Sequence, residues 1–180
     1  MSRRFLAWKN FKERCNKMRY NTIKQLDIAN GPGCRVSLFV QGCSFNCPGC
    51  FNTVAKDFNG GKEFTDQTLQ LILDLLKPSH ISGLSILGGE PLHPQNRQAT
   101  LDLVKLVRAC APGKSIWLWT GYKWEDVAED LIGSGIDVVV DGQFKEELKD
   151  LRLKYRGSSN QRVIDVWKSG LTNPTLLNIE

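Results

Sequence analysis

The sequence predicts an α/β domain built on a parallel sheet. Two observations carry that expectation. Four short apolar runs alternate with amphipathic helical patterns. Each helix pattern stands singly between two strand patterns, the order expected of strand–helix–strand crossovers. Periodicity leaves open whether the sheet is flat or partly rolled into a barrel.

The elements follow in order. Val36 to Gln41 reads as a buried strand, as do Leu84 to Leu87, Ile116 to Thr120 and Val138 to Asp141. Leu69, Ile72, Leu73 and Leu76 share one helical face, with Thr65 as a cap and Pro78 as a stop. Leu103, Leu106, Val107 and Cys110 repeat the spacing before Pro112-Gly113, so Cys110 is expected to pack inward. Trp124, Val127, Ala128 and Leu131 repeat it again and end at Gly133. Trp117 and Trp119 alternate with Leu118 and are expected to pack rather than react.

The totals bound the class. The chain has 180 residues, 41% hydrophobic and 24% charged, enough for one domain with a true core. No apolar run suits a bilayer and no secretory signal is legible, so a reducing cytoplasm is the expected compartment. The formal charge of +5 is unevenly placed: residues 1–20 hold seven cations against Glu13, and the other 160 residues sum to −1. The chain thus divides into a basic extension, 1–20, and a domain, 21–180. Phe5, Trp8, Phe11, Cys15 and Met18 recur near helical spacing, which suits a solvated or docking segment better than a nucleic-acid face.

In parallel α/β folds ligands bind beyond the carboxyl ends of the strands. The residues just past the four strands are Gly42-Cys43, Gly88-Gly89-Glu90, Thr120-Gly121-Tyr122 and Asp141-Gly142. These positions are expected to gather at one mouth.

Of six cysteines, three fall within eight residues: Cys43, Cys47 and Cys50, spaced C-x3-C-x2-C. In a reducing compartment such a set points to metal chemistry. Soft thiolates select zinc or iron–sulfur clusters. A structural zinc would need a fourth ligand, for which Cys34, His80 or His93 are the candidates. Three thiolates on a four-iron cubane would instead leave one iron open to an outside ligand.

This spacing resembles the signature of the radical S-adenosylmethionine superfamily. Asn30-Gly31-Pro32-Gly33-x-Arg35, Gln41-Gly42-Cys43, the run from Gly88 to Asn96, Trp117 to Tyr122, Val140-Asp141-Gly142 and Arg156 to Gln161 are similar to the glycyl-radical-enzyme activases, among them those serving the anaerobic ribonucleoside-triphosphate reductase. The resemblance spans roughly residues 21–162. Many superfamily members carry an aromatic residue just before the third cysteine; here Gly49 holds that place and Phe51 follows.

The resemblance implies an incomplete (β/α) barrel of the radical S-adenosylmethionine type. Cys43, Cys47 and Cys50 would bind a [4Fe–4S] cluster whose fourth iron takes the methionine moiety of S-adenosyl-L-methionine. Gly49, Cys50 and Phe51 would face adenine. Gly88, Gly89 and Glu90 would meet the methionine ammonium, and Thr120 and Asp141 the carboxylate or ribose. The implied activity is reductive cleavage of that cofactor to a 5′-deoxyadenosyl radical, which abstracts hydrogen from a glycine Cα. The implied partners are the reductase large subunit and an external one-electron reductant such as flavodoxin. Radical chemistry on a small molecule and a zinc-binding interaction module are the competing readings.

Anaerobic reconstitution is expected to give a brown protein with about four irons per chain. One colourless zinc per chain would favour the interaction module.

Overall fold

The computed structural model describes residues 18–179. Eight strands form one mixed sheet in the order β3-β1-β2-β4-β5-β6-β7-β8. They are β1 Arg19–Asp27, β2 Cys34–Val40, β3 Lys62–Glu63, β4 Ile81–Gly88, β5 Ser115–Trp119, β6 Val138–Asp141, β7 Arg162–Asp165 and β8 Thr175–Leu176. The helices are α1 Asp66–Leu75, α2 Pro94–Cys110 and α3 Trp124–Leu131.

The four strands expected from the apolar runs are β2, β4, β5 and β6, and they pair in parallel. The sheet as a whole is not parallel: β1, β3, β7 and β8 join it antiparallel. The reasons lie in the connections. Only six residues separate β1 from β2, too few for a crossover helix, so the chain must reverse as a hairpin. Gly31 and Gly33 take positive φ within that turn. β1 lies near the sheet edge and is mostly half-exposed, so its sequence lacks the apolar run that marks a buried strand. Met18 is buried beside it, and its carbonyl accepts from Phe64 N at 3.0 Å. Arg19 and Tyr20 of the basic extension are thus the start of β1, while residues 1–17 lie outside the described residues.

All three helices contribute to a single core against one face of the sheet. Val36, Leu38, Val40, Leu84, Ile86, Ile116, Leu118 and Val139 meet Leu69, Ile72, Leu103, Val107, Trp124 and Leu131 there. Thr65 caps α1 as expected, in a reciprocal capping box with Thr68. Helix α2 begins well before its apolar stripe, at Pro94, with His93 as its N-cap. One expectation fails: Cys110, the last residue of α2, is exposed, and Ala111 after it packs against the core instead.

The other face is more polar. Trp117, Val138, Val140 and Val163 form a small cluster there, with Trp119 and Tyr155 against it. Beside them lies Arg35, fully buried, whose guanidinium donates to Ser85 Oγ, Ser115 Oγ and the Leu84 and Ser115 carbonyls at 2.7–3.0 Å. Its charge also faces the Trp117 ring at 5.7 Å. Burial pulls its pKa down to about 10, so it stays cationic.

Trp124 is fully buried and its indole N–H donates to Gly170 O at 2.9 Å. Trp124→Ala is expected to cost about 3–5 kcal/mol, read as a lower urea midpoint. Arg162 reaches both Glu125, at 2.9 Å, and Asp141, at 2.5 Å. Its hydrogen bonds hold the Glu125 carboxyl down at about 2, against an ordinary value of 4.5. The stabilisation is therefore present above pH 4.5 and lost as pH falls toward 2. Glu125 is half-exposed, so Glu125→Gln is expected to cost only about 0.2–1 kcal/mol at neutral pH and to flatten the acid limb of the thermal-unfolding profile of the metal-free protein.

Candidate metal and cofactor site

The residues expected at one mouth are brought together there. β2, β4, β5 and β6 run in parallel, so Gly42, Gly88, Thr120 and Asp141 all lie at the same end of the sheet. Backbone hydrogen bonds knit these ends. Gly89 N donates to Val40 O and Glu90 N to Gly42 O, both at 2.8 Å, and Thr120 N donates to Val140 O at 2.9 Å.

The two glycines after β4 have a structural cause. Gly88 has φ +115°, and a Cβ there would stand 2.8 Å from the Phe39 backbone. A Cβ on Gly89 would stand 2.4 Å from Gly42 O. Any larger residue would push β4 away from the start of the cysteine loop.

Glu90 lies inward, 1% exposed, between these strand ends. Its carboxylate accepts from Thr120 Oγ1 and Gly121 N at 2.7 Å and from Leu92 N at 2.9 Å. Burial is the main cause that pushes its pKa up to about 7, against the lowering effect of those three donors. Glu90 thus ties the end of β5 to the turn after β4. Asp141 is equally buried; it accepts from Trp124 N at 2.7 Å, capping α3, and pairs with Arg162. The side chains of Glu90, Thr120 and Asp141 are therefore all engaged within the protein.

The cysteine loop leaves β2 at Gly42 and returns through a short 3-10 turn, Thr53–Ala55. Gly42 N donates to Ala55 O at 2.8 Å and Cys43 N to Lys56 O at 3.2 Å, closing the loop at its base. Cys50 N donates to Cys47 O at 3.3 Å, which turns the chain between those two ligand candidates. Cys43, Cys47 and Cys50 are free and half-buried. Burial pushes the Cys43 thiol up to about 11, with Glu90, Cys47 and Cys50 raising it further. Cys47 is raised as well, first by burial and then by Cys50. Three thiols near enough to oppose one another's ionisation make a donor set that a cationic centre would satisfy, displacing their protons. Their chemistry fits an iron–sulfur cluster.

The zinc alternative loses two of its ligands. Cys34 opens β2 and His80 precedes β4, so both lie at the far end of the strands, about 20 Å from Cys43. His93 is occupied as a cap: its Nδ1 accepts from Gln95 N at 3.2 Å, and its ring lies 4.4 Å from that of Phe58. Among the described residues, no three His, Cys, Asp or Glu side chains surround a point suited to a single metal ion.

Phe51 is 85% exposed beside the last cysteine, so core packing does not explain it. Gly49 has φ +68°, and its Cα faces the Glu146 carboxylate.

Two residues here escaped sequence reasoning. Asn96, 1% exposed, donates to Gln41 O at 2.9 Å, Glu90 O at 3.0 Å and Gly42 O at 3.4 Å. It pins the cysteine loop to the turn after β4; its only signal was its place at the end of the Gly88–Asn96 run. Gln143 lies 3.9 Å from Cys47 Sγ and had no signal beyond following Asp141-Gly142.

Known proteins match this sequence. The family model described as a 4Fe-4S single cluster domain matches residues 29–164. The chain is 44% identical over 155 residues to the anaerobic ribonucleoside-triphosphate reductase-activating protein of Enterobacteria phage T4, covering 84% of this chain and 99% of that one. It is 46% identical over 150 residues to the proteins of the same name from Salmonella typhimurium strain LT2 and Escherichia coli strain K12, covering 81% of this chain and 97% of each. With these identities over nearly the whole length of the relatives, the chain belongs to the anaerobic ribonucleoside-triphosphate reductase-activating protein family, within the 4Fe-4S single cluster domain group.

Proposed function

We propose that this chain is the activating enzyme of an anaerobic ribonucleoside-triphosphate reductase, an iron–sulfur oxidoreductase that installs the glycyl radical on the reductase large subunit. The observation that carries the reading is the three-thiol loop at the carboxyl ends of four parallel strands, in a chain of this family. Cys43, Cys47 and Cys50 hold a [4Fe–4S] cluster with one iron left for S-adenosyl-L-methionine. When bound, the pair supplies a one-electron cleavage of the cofactor to methionine and a 5′-deoxyadenosyl radical, which takes hydrogen from a glycine Cα.

The chain's own residues position these groups. The Phe51 ring, exposed at the third cysteine, offers adenine an apolar face, with Gly49 and Cys50 giving backbone contacts. Gly88 and Gly89 keep side chains out of the methionine end of the site. Glu90 and Thr120 hold the wall between β4 and β5, and Asp141 holds the wall after β6.

The same reading takes the sheet as an incompletely rolled (β/α) barrel of the radical S-adenosylmethionine type, supported by four parallel strands with antiparallel strands on both flanks. It takes residues 21–180 as the activase domain and residues 1–20 as a basic extension, whose last two residues, Arg19 and Tyr20, enter β1 of that domain. It assigns an external reductant such as flavodoxin and a cytoplasmic location; among the described residues no helix is long and apolar enough to cross a membrane.

Electron paramagnetic resonance of a mixture of this protein, the reductase large subunit, S-adenosyl-L-methionine and a reductant is expected to give a glycyl-radical doublet. Cofactor cleavage without that doublet would favour a small-molecule substrate. Cys43→Ala, Cys47→Ala and Cys50→Ala are each expected to lose the four-iron cluster and the doublet, and full iron content with turnover in Cys47→Ala would refute the ligand assignment. Phe51→Ala is expected to raise the KM for S-adenosyl-L-methionine about two- to tenfold with the cluster intact.

A further inference from the structure

Arg156 to Gln161 is polar and turn-rich, and neither the core nor the cofactor reading gives it a task. It folds back onto the residues that follow β6. Gln161 Nε2 donates to Gly142 O at 3.0 Å, while its Oε1 accepts from Gly157 N at 2.9 Å and Ser158 N at 3.2 Å. Asn160 Nδ2 donates to Gln143 O at 2.9 Å. Ser158 is fully buried, and its hydroxyl accepts from Lys145 N at 3.2 Å. One turn therefore fixes the backbone at Gly142, Gln143 and Lys145.

The tethered segment faces the cysteine loop. The Cys47 thiol donates to Gln143 Oε1 at 3.9 Å. The Glu146 carboxylate lies so close to Gly49 that a Cβ there would meet it at 2.7 Å. Residues 143–146 thus touch the loop at Cys47 and again at Gly49.

We propose that Gln143 is a positioning residue that hydrogen-bonds the sulfur of ligand Cys47, and that the Arg156–Gln161 turn holds Gln143 within reach of it. The inference rests on the ligand assignment of the proposed function. A ligating sulfur has lost its proton, so the Gln143 amide must turn over to present Nε2–H; the two ends of a carboxamide are nearly identical in shape. An N–H donor on a thiolate draws charge from the sulfur and favours the reduced, more negative cluster. Gln143 sits in the tethered stretch, so loosening the turn weakens its bond to the sulfur.

The test is a redox titration of the reconstituted full chain, without S-adenosyl-L-methionine, followed by electron paramagnetic resonance. Gln143 is exposed, so its replacement leaves the core unaltered. Gln143→Ala is expected to keep its iron and to shift the cluster to a more negative potential. Gln143→Glu, which places a carboxylate at the sulfur, is expected to shift it further. Gln161→Ala is expected to shift it less, in the same direction, and to speed amide exchange over residues 142–145 in the metal-free protein. Parent potential and spectrum in Gln143→Ala would overturn the proposal, as would unchanged exchange in Gln161→Ala. Gln143→Met fills the same space without the amide and decides the matter in the same way if the alanine variant holds less iron. A parent protein that takes up no four-iron cluster would overturn the ligand assignment and this inference together, whereas an unshifted variant overturns the inference alone.

Discussion

The site depends on how closely the ends of β2 and β4 approach each other. Gly89 and Glu90 donate to Val40 and Gly42 across that junction, and a Cβ on either glycine of β4's exit would collide with β2 or the residues just past it. Asn96 closes the junction from the start of α2, reaching Gln41, Gly42 and Glu90 with one amide. The cysteine loop leaves from this point. Its aim is fixed by backbone bonds that water cannot compete for, because Asn96, Gln41 and Glu90 are each about 1% exposed.

Buried charge is segregated along the sheet. At the start of the parallel strands, Arg35 is a cation held by hydroxyls, carbonyls and an aromatic face rather than by a carboxylate. At their other end lie Glu90, Asp141 and the three thiols. Such groups are tolerated inside only when every donor or acceptor is met. Arg35 meets that condition with five hydrogen bonds, Glu90 with three, and Asp141 through Arg162 and the N-terminus of α3. The Cys43 and Cys47 thiols are held toward their uncharged, protonated form by burial and by their neighbours, a state that a cationic centre would reverse.

Helix α2 links the fold to the chemistry. It starts four residues after Glu90, so the same short segment ends a strand, makes the glycine turn and supplies Asn96. The long connection after β6 does the corresponding work on the other side. Its hydrogen bonds run to Gly142 and Gln143, so it is tied to the segment that follows β6 and is not only a solvated loop.

The sequence by itself determined the parallel centre of the sheet, because β2, β4, β5 and β6 are buried on both faces and read as apolar runs. It determined the three amphipathic helices and the cysteine spacing, since both are local periodicities. The gathering of Gly42, Gly88, Thr120 and Asp141 also followed from it, through the general rule for strand ends. Tertiary structure alone decided the antiparallel flanks, whose half-exposed strands carry no strong pattern. It alone revealed that Cys110 is exposed, that Glu90 and Asp141 face protein donors, and that Asn96 and Gln143 reach the cysteine loop. Those contacts join residues 17 to 96 positions apart in the chain. Periodicity reports only on neighbours a few residues away, so pairings over such separations become visible only once the sheet has formed.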